Sequence, residues 1–130
     1  MNQLAWLAVA VGAAVGAPMR LLVERRLVDT WPRGTFVVNV VGSTVLGLLV
    51  GWASTRDAES TAVIVALVGT GFCGALTTFG GYAAQVLDLA VGAADQGRST
   101  TRAWGYAMAS IGLCVLVAAG GFLAATSLLT

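Results

Sequence analysis

The sequence predicts an all-α membrane protein of four transmembrane helices, folded as one unit over residues 1–130. Three observations predict it. Hydrophobic residues make up 58% of the chain and charged residues only 10%, far from the balance of a protein dissolved in water. All charged residues fall in three windows, 20–33, 56–59 and 88–102, which leaves uncharged runs at 1–19, 34–55, 60–87 and 103–130. Each run approaches or exceeds the roughly 20 residues that cross a bilayer as a helix. Lipid offers no partner to a free backbone N–H or C=O, so runs of this length read as helices.

The first helix is expected at about 4–23. No Lys or Arg precedes it, as a secretory signal would require, so it reads as a span. Its Gly12 and Gly16, four apart, suit close helix approach. The second helix, 34–54, carries Thr35, Asn39, Ser43, Gly47 and Gly51 at four-residue spacing, hence on one small, polar face. A primary amide such as Asn39 within an apolar helix is costly unless paired, which marks it as a candidate functional residue.

The third helix, 61–88, is the unusual one. As a straight helix the run 60–87 would reach roughly 40 Å, against a hydrocarbon core of about 30 Å. Gly69, Gly71, Gly74, Gly80 and Gly81 are poor helix formers, and Thr70, Thr77 and Thr78 can bond freed backbone groups. The helix is therefore expected to break near 74–78, where exposed carbonyls can hold a cation. An unbroken, glycine-rich packing face is the alternative. The same stretch formally matches G-x-G-x-x-G at Gly69, Gly71 and Gly74, but a dinucleotide-binding unit has no use for four apolar runs. The fourth helix, 103–128, repeats Tyr106, Ser110 and Cys114 at four-residue spacing.

The missing chemistry narrows function. There is no histidine, no charged group in the central part of any span, and no nucleophile beside a base. Neither an enzyme nor a proton-coupled pump is supported, and nothing calls for nucleic acid. Cys73 and Cys114 read as inert buried thiols. What remains is a set of neutral donors and aromatic rings, Phe36, Phe72, Phe79 and Tyr82. Ring edges and neutral donors can replace water around a small anion without trapping it.

Three segments carry a resemblance. G-x-x-x-R at 16–20, GTFVVNVVGS at 34–43 and GFCGALTTF at 71–79 resemble, in order, the signatures of the Fluc (CrcB) fluoride channels. The resemblance implies an antiparallel dimer of four-helix subunits that lowers cytoplasmic fluoride by passive efflux, with two pathways along the interface. It implies a structural sodium ion held by the carbonyls of Gly74 and Thr77. Asn39 would be the pore amide, Phe79 the first lining aromatic, and Arg20 the polar end of the pathway. Thr78, Tyr82, Tyr106 and Ser110 complete the implied fluoride path. The chain departs from the family after Phe79: it reads Gly80, Gly81, Tyr82, Ala83 where Ser-Thr-Phe-Ser is usual, and Gln85 where Glu is common. Two alternatives stand beside this reading. A small multidrug-resistance exporter would need a glutamate in the first helix, and 1–19 has none. A purely structural subunit would carry no flux.

Charge predicts orientation. The first and third connections share one side of the membrane and hold Arg20, Arg25, Arg26, Arg33, Arg98 and Arg102, whereas the other side holds Arg56 alone. The positive-inside rule places the first side in the cytoplasm and both termini outside the cell membrane. A chain that pairs antiparallel with itself must insert both ways and should balance its arginines. The imbalance predicts a different four-helix partner, which would supply the hydroxyl and phenyl groups missing at Gly80, Gly81 and Tyr82.

Overall fold

The computed structural model describes residues 3–27, 31–96 and 100–129. Arg98, counted in the charge bias, lies outside the described residues. Among those described there is helix and no strand: α1 (Gln3–Arg26), α2 (Arg33–Ser54), α3 (Ala58–Ile64), a π-helical stretch (Val65–Cys73), α4 (Gly74–Leu76), α5 (Phe79–Asp95) and α6 (Thr101–Leu129). The pieces from Ala58 to Asp95 form one span, so four helical spans are long and apolar enough to cross a membrane. The protein is a multi-pass membrane protein. The spans run further into the charged windows than the uncharged runs suggest. Arginine can keep its charge at the interface while its stem stays on the helix, so helix and hydrocarbon need not end together.

Glycine decides which spans touch. Between apolar helices in lipid the hydrophobic effect supplies no attraction, so association rests on close packing of small residues. Gly12 and Gly16 of α1 lie against the backbone of Leu67 and Phe72, and Gly71 returns the contact: a Cβ there would fall 2.6 Å from the Val9 carbonyl oxygen. On the other side of the bundle, Gly47 faces the Ala118 carbonyl, and a Cβ on Gly51 would fall 2.6 Å from the Phe122 oxygen. α1 thus seats on the π-helical stretch, and α2 on α6. Gly51→Leu would force α2 and α6 apart; we expect a loss of about 1–3 kcal/mol. A lowered midpoint for thermal aggregation in detergent would show it, while Gly112→Leu, where a Cβ meets nothing within 4 Å, should leave that midpoint unchanged.

The third span departs twice from a plain α-helix. Its π-helical turns span Val65–Cys73, and the Gly74 N–H still reaches back five residues to the Gly69 carbonyl. These wide turns had no counterpart in the sequence reading. The chain then leaves helical geometry at Thr77 (φ −80°, ψ 155°) and Thr78 (φ −148°, ψ 119°), and α5 begins at Phe79. Gly74 itself is helical, with φ −62° and ψ −34°. The unwound backbone therefore comprises two threonines and not the whole of 74–78.

α5 leaves the bundle as a lightly anchored arm. Tyr82 is its one buried residue, packed with Tyr106 and Ala107 of α6.

Candidate functional site

A groove of about 340 Å³ opens where the third span is interrupted. α2 contributes Asn39 and Ser43, the interrupted span contributes Gly74, Thr77, Thr78, Phe79 and Tyr82, and α6 contributes Ser110 and Cys114. None of the residues lining it is charged.

Asn39 answers the cost of its own burial. Its Oδ1 accepts from the Thr78 N–H at 2.8 Å, and its Nδ2 donates to the Thr78 carbonyl at 3.2 Å. The side chain acts as a strand partner would for one extended residue, which is how non-helical backbone is satisfied at membrane depth. Thr78 then starts α5: its Oγ1 accepts from the Gly81 N–H at 3.0 Å, an ordinary threonine N-cap. In a continuing helix the N–H groups of Thr78 and Gly81 would go to the carbonyls of Gly74 and Thr77. Here both are diverted, and those two carbonyls lose their helical partners. Thr77 also gives its hydroxyl to the Cys73 carbonyl at 2.9 Å, closing the preceding turn.

The hydroxyls near the groove differ in what they can still donate. Tyr82 donates to the Ala107 carbonyl at 3.2 Å and Tyr106 donates to Gln85 at 3.0 Å. Ser110 is 3% exposed, and its Oγ lies against the Tyr106 hydroxyl without forming a hydrogen bond of ordinary geometry among the described residues. A buried hydroxyl without such a bond is costly, and here it lines an uncharged groove. Phe79 is 79% exposed, so its ring stands off the chain beside Tyr82, with centroids 5.7 Å apart.

Of the residues singled out in the sequence, the groove gathers Asn39, Gly74, Thr77, Thr78, Phe79, Tyr82 and Ser110. Two are elsewhere. Tyr106 is fully buried, edge-on to Trp31 at 5.5 Å and next to Tyr82, and does not reach the groove. Arg20 lies towards the end of α1 and does not line it. Sequence reading missed the link from Gln85 through Thr35 to Glu24. The only signal for it was the position of Glu24 and Thr35 at the facing ends of α1 and α2.

Residues 7–122 match the family described as CrcB-like protein, Camphor Resistance (CrcB). The chain belongs to this family. A CrcB relative from Caulobacter vibrioides, a fluoride-specific ion channel FluC, is 36% identical over 129 residues, or 96% of either chain. The fluoride-specific ion channel FluC 1 of Nocardia farcinica is 37% identical over 124 residues, covering 92% of this chain and 77% of the relative. FluC 2 of Mycobacterium tuberculosis is 42% identical over 78 residues, 57% of each chain. Gly74 requires a correction within this frame. Gly74, expected within the unwound stretch, has α-helical dihedrals, and a Cβ there would meet only the Gly69 oxygen, at 3.9 Å. Nothing within this chain forbids a side chain there.

Proposed function

We propose that this CrcB-family chain is a subunit of a passive, fluoride-selective channel that lowers cytoplasmic fluoride. The observation that carries the reading is the uncharged groove with a buried hydroxyl short of an ordinary hydrogen bond, Ser110, beside an outward-standing ring, Phe79. A dehydrated small anion needs donors and positive ring edges, and release needs the absence of a fixed cation. The names of the Caulobacter and Nocardia relatives support fluoride as the anion. In this reading Ser110, Thr78, Asn39, Phe79 and Tyr82 line the path. Tyr106 supports it from behind Tyr82, and Arg20 stands towards its polar end. Fluoride efflux from liposomes holding the native complex tests it. Selective efflux over chloride without a proton gradient is expected; equal chloride efflux, or a need for a proton gradient, refutes the channel. No observation favours a multidrug exporter or a silent structural subunit.

The carbonyls of Gly74 and Thr77, freed from the helix, fit a structural sodium ion in kind: they are neutral, hard oxygens on backbone held by Asn39. When bound, the cation would brace the interruption electrostatically. We expect Thr77→Ala to keep sodium binding, because the ligand is main chain, at the cost of the one hydroxyl bond to Cys73. Gly74→Val should leave the isolated chain folded, since a Cβ there meets only the Gly69 oxygen at 3.9 Å, and weaken sodium-dependent assembly, since a branched side chain would crowd an ion held at the adjacent carbonyl. Sodium titration of complex formation, read by size-exclusion chromatography, distinguishes the two variants.

The same reading sets both termini outside and gives the chain an antiparallel partner of a different sequence. The arginine imbalance supports it, as do the paired names FluC 1 and FluC 2 among the relatives. Reporters fused to the C-terminus of the chain expressed alone should show one orientation. An equal mixture, with fluoride flux from the purified single-chain dimer, would overturn the two-chain assembly.

A further inference from the structure

Behind the groove, four side chains from four helices form one hydrogen-bonded line. Tyr106 of α6 donates its hydroxyl to Gln85 Oε1 at 3.0 Å, Gln85 of α5 donates from Nε2 to Thr35 Oγ1 at 2.7 Å, and Thr35 of α2 donates to Glu24 Oε1 of α1 at 3.1 Å. Tyr106 and Thr35 are 0% and 1% exposed, so water does not compete for them.

The direction of the line has one source. A carboxylate only accepts, so the single proton of Thr35 goes to Glu24. Its oxygen is then left to accept, which demands the NH2 side of Gln85. That turns the Gln85 carbonyl oxygen to Tyr106, whose O–H must donate. One negative charge at the end of α1 thereby orients three neutral groups. Were position 24 able to donate, all three bonds could reverse, and Tyr106 would accept from Gln85 and have its proton free. Ser110, one helical turn along α6 on the same face, lies against the Tyr106 hydroxyl with no hydrogen bond of ordinary geometry of its own, and is placed to receive it.

We propose that Glu24 is a positioning residue that fixes the polarity of this line and so keeps the Tyr106 proton away from Ser110 and the groove. The consequence for transport rests on the channel reading above. A serine hydroxyl that accepts one bond donates a stronger one, so reversing the line strengthens the donor that faces the anion.

The test uses the native complex in liposomes, with ring-labelled tyrosine in this chain. The tyrosine C–O stretch separates donor-type from acceptor-type hydroxyls, and the Tyr106 band is identified by its loss in Tyr106→Phe. The native protein should show a donor-type band. Glu24→Gln, which can donate or accept at the same place, should add an acceptor-type component and raise fluoride efflux roughly two- to tenfold, the worth of one neutral hydrogen bond. Thr35→Val, which cuts the line without changing either end, should add the same component and serves if Glu24→Gln does not assemble. An unchanged donor-type band in an assembled variant overturns the proposal, and so does a changed band with unchanged efflux. If the native complex passes no fluoride, the channel reading falls, while the band still decides the polarity of the line.

Discussion

Asn39→Asp is expected to cut fluoride efflux from the native complex to a small fraction of the native rate. An ionised aspartate still accepts from the Thr78 N–H but cannot donate to the Thr78 carbonyl, which the amide reaches at 3.2 Å in the native chain. That exchange costs about 1–3 kcal/mol locally, from a carbonyl left without its donor. The effect on transport is larger. A carboxylate beside an uncharged groove repels every anion that approaches, and like-charge juxtaposition costs several kcal/mol, so efflux should fall by about a hundredfold or more. Liposome efflux measured on complexes verified by size-exclusion chromatography checks it. Normal efflux from an assembled Asn39→Asp complex would reduce Asn39 to a packing residue that holds Thr78.

Phe79→Ile is expected to reduce efflux strongly without touching the fold of the chain. The ring is 79% exposed and stands 5.7 Å from the Tyr82 ring, so the substitution should change the stability of the single chain by less than about 0.5 kcal/mol. Isoleucine has no ring edge to present to an anion, and a loss of about tenfold or more in fluoride efflux is expected. The contrast with Asn39→Asp is informative. One variant pairs a local structural cost with a charge, whereas the other isolates the ring. Equal melting of Phe79→Ile and native protein together with unchanged efflux would remove Phe79 from the pathway.

Much of the architecture was legible along the chain. The charge windows 20–33, 56–59 and 88–102 separate the four spans, although α1 runs on to Arg26 and α5 to Asp95, well inside two of those windows. The free energy of moving a residue into hydrocarbon depends mainly on that residue, so a sum over a window locates a span with no knowledge of its neighbours. The small-residue spacings of Gly12 with Gly16 and Gly47 with Gly51 marked close approach. Which helix approaches was not written in either pair, because a glycine face fits any backbone that reaches it. Only the folded chain sets the first against Leu67 and Phe72 and the second against Ala118 and Phe122.

The site was legible in its membership more than in its wiring. Glycines and threonines announced a weak point in the third span, and they suggested unwinding from Gly74 onward. The tertiary structure confines extended backbone to Thr77 and Thr78, because Asn39, 39 positions earlier, offers the acceptor and donor of a single residue. Hydroxyl spacing put Tyr106 and Ser110 on one face of α6, yet the structure buries Tyr106 against Trp31 and leaves Ser110 on the groove. Identity and spacing say that a polar group in lipid must find a partner. Which partner it finds, and therefore which hydroxyl is spent and which remains to meet an anion, depends on contacts between distant parts of the chain that no local pattern encodes.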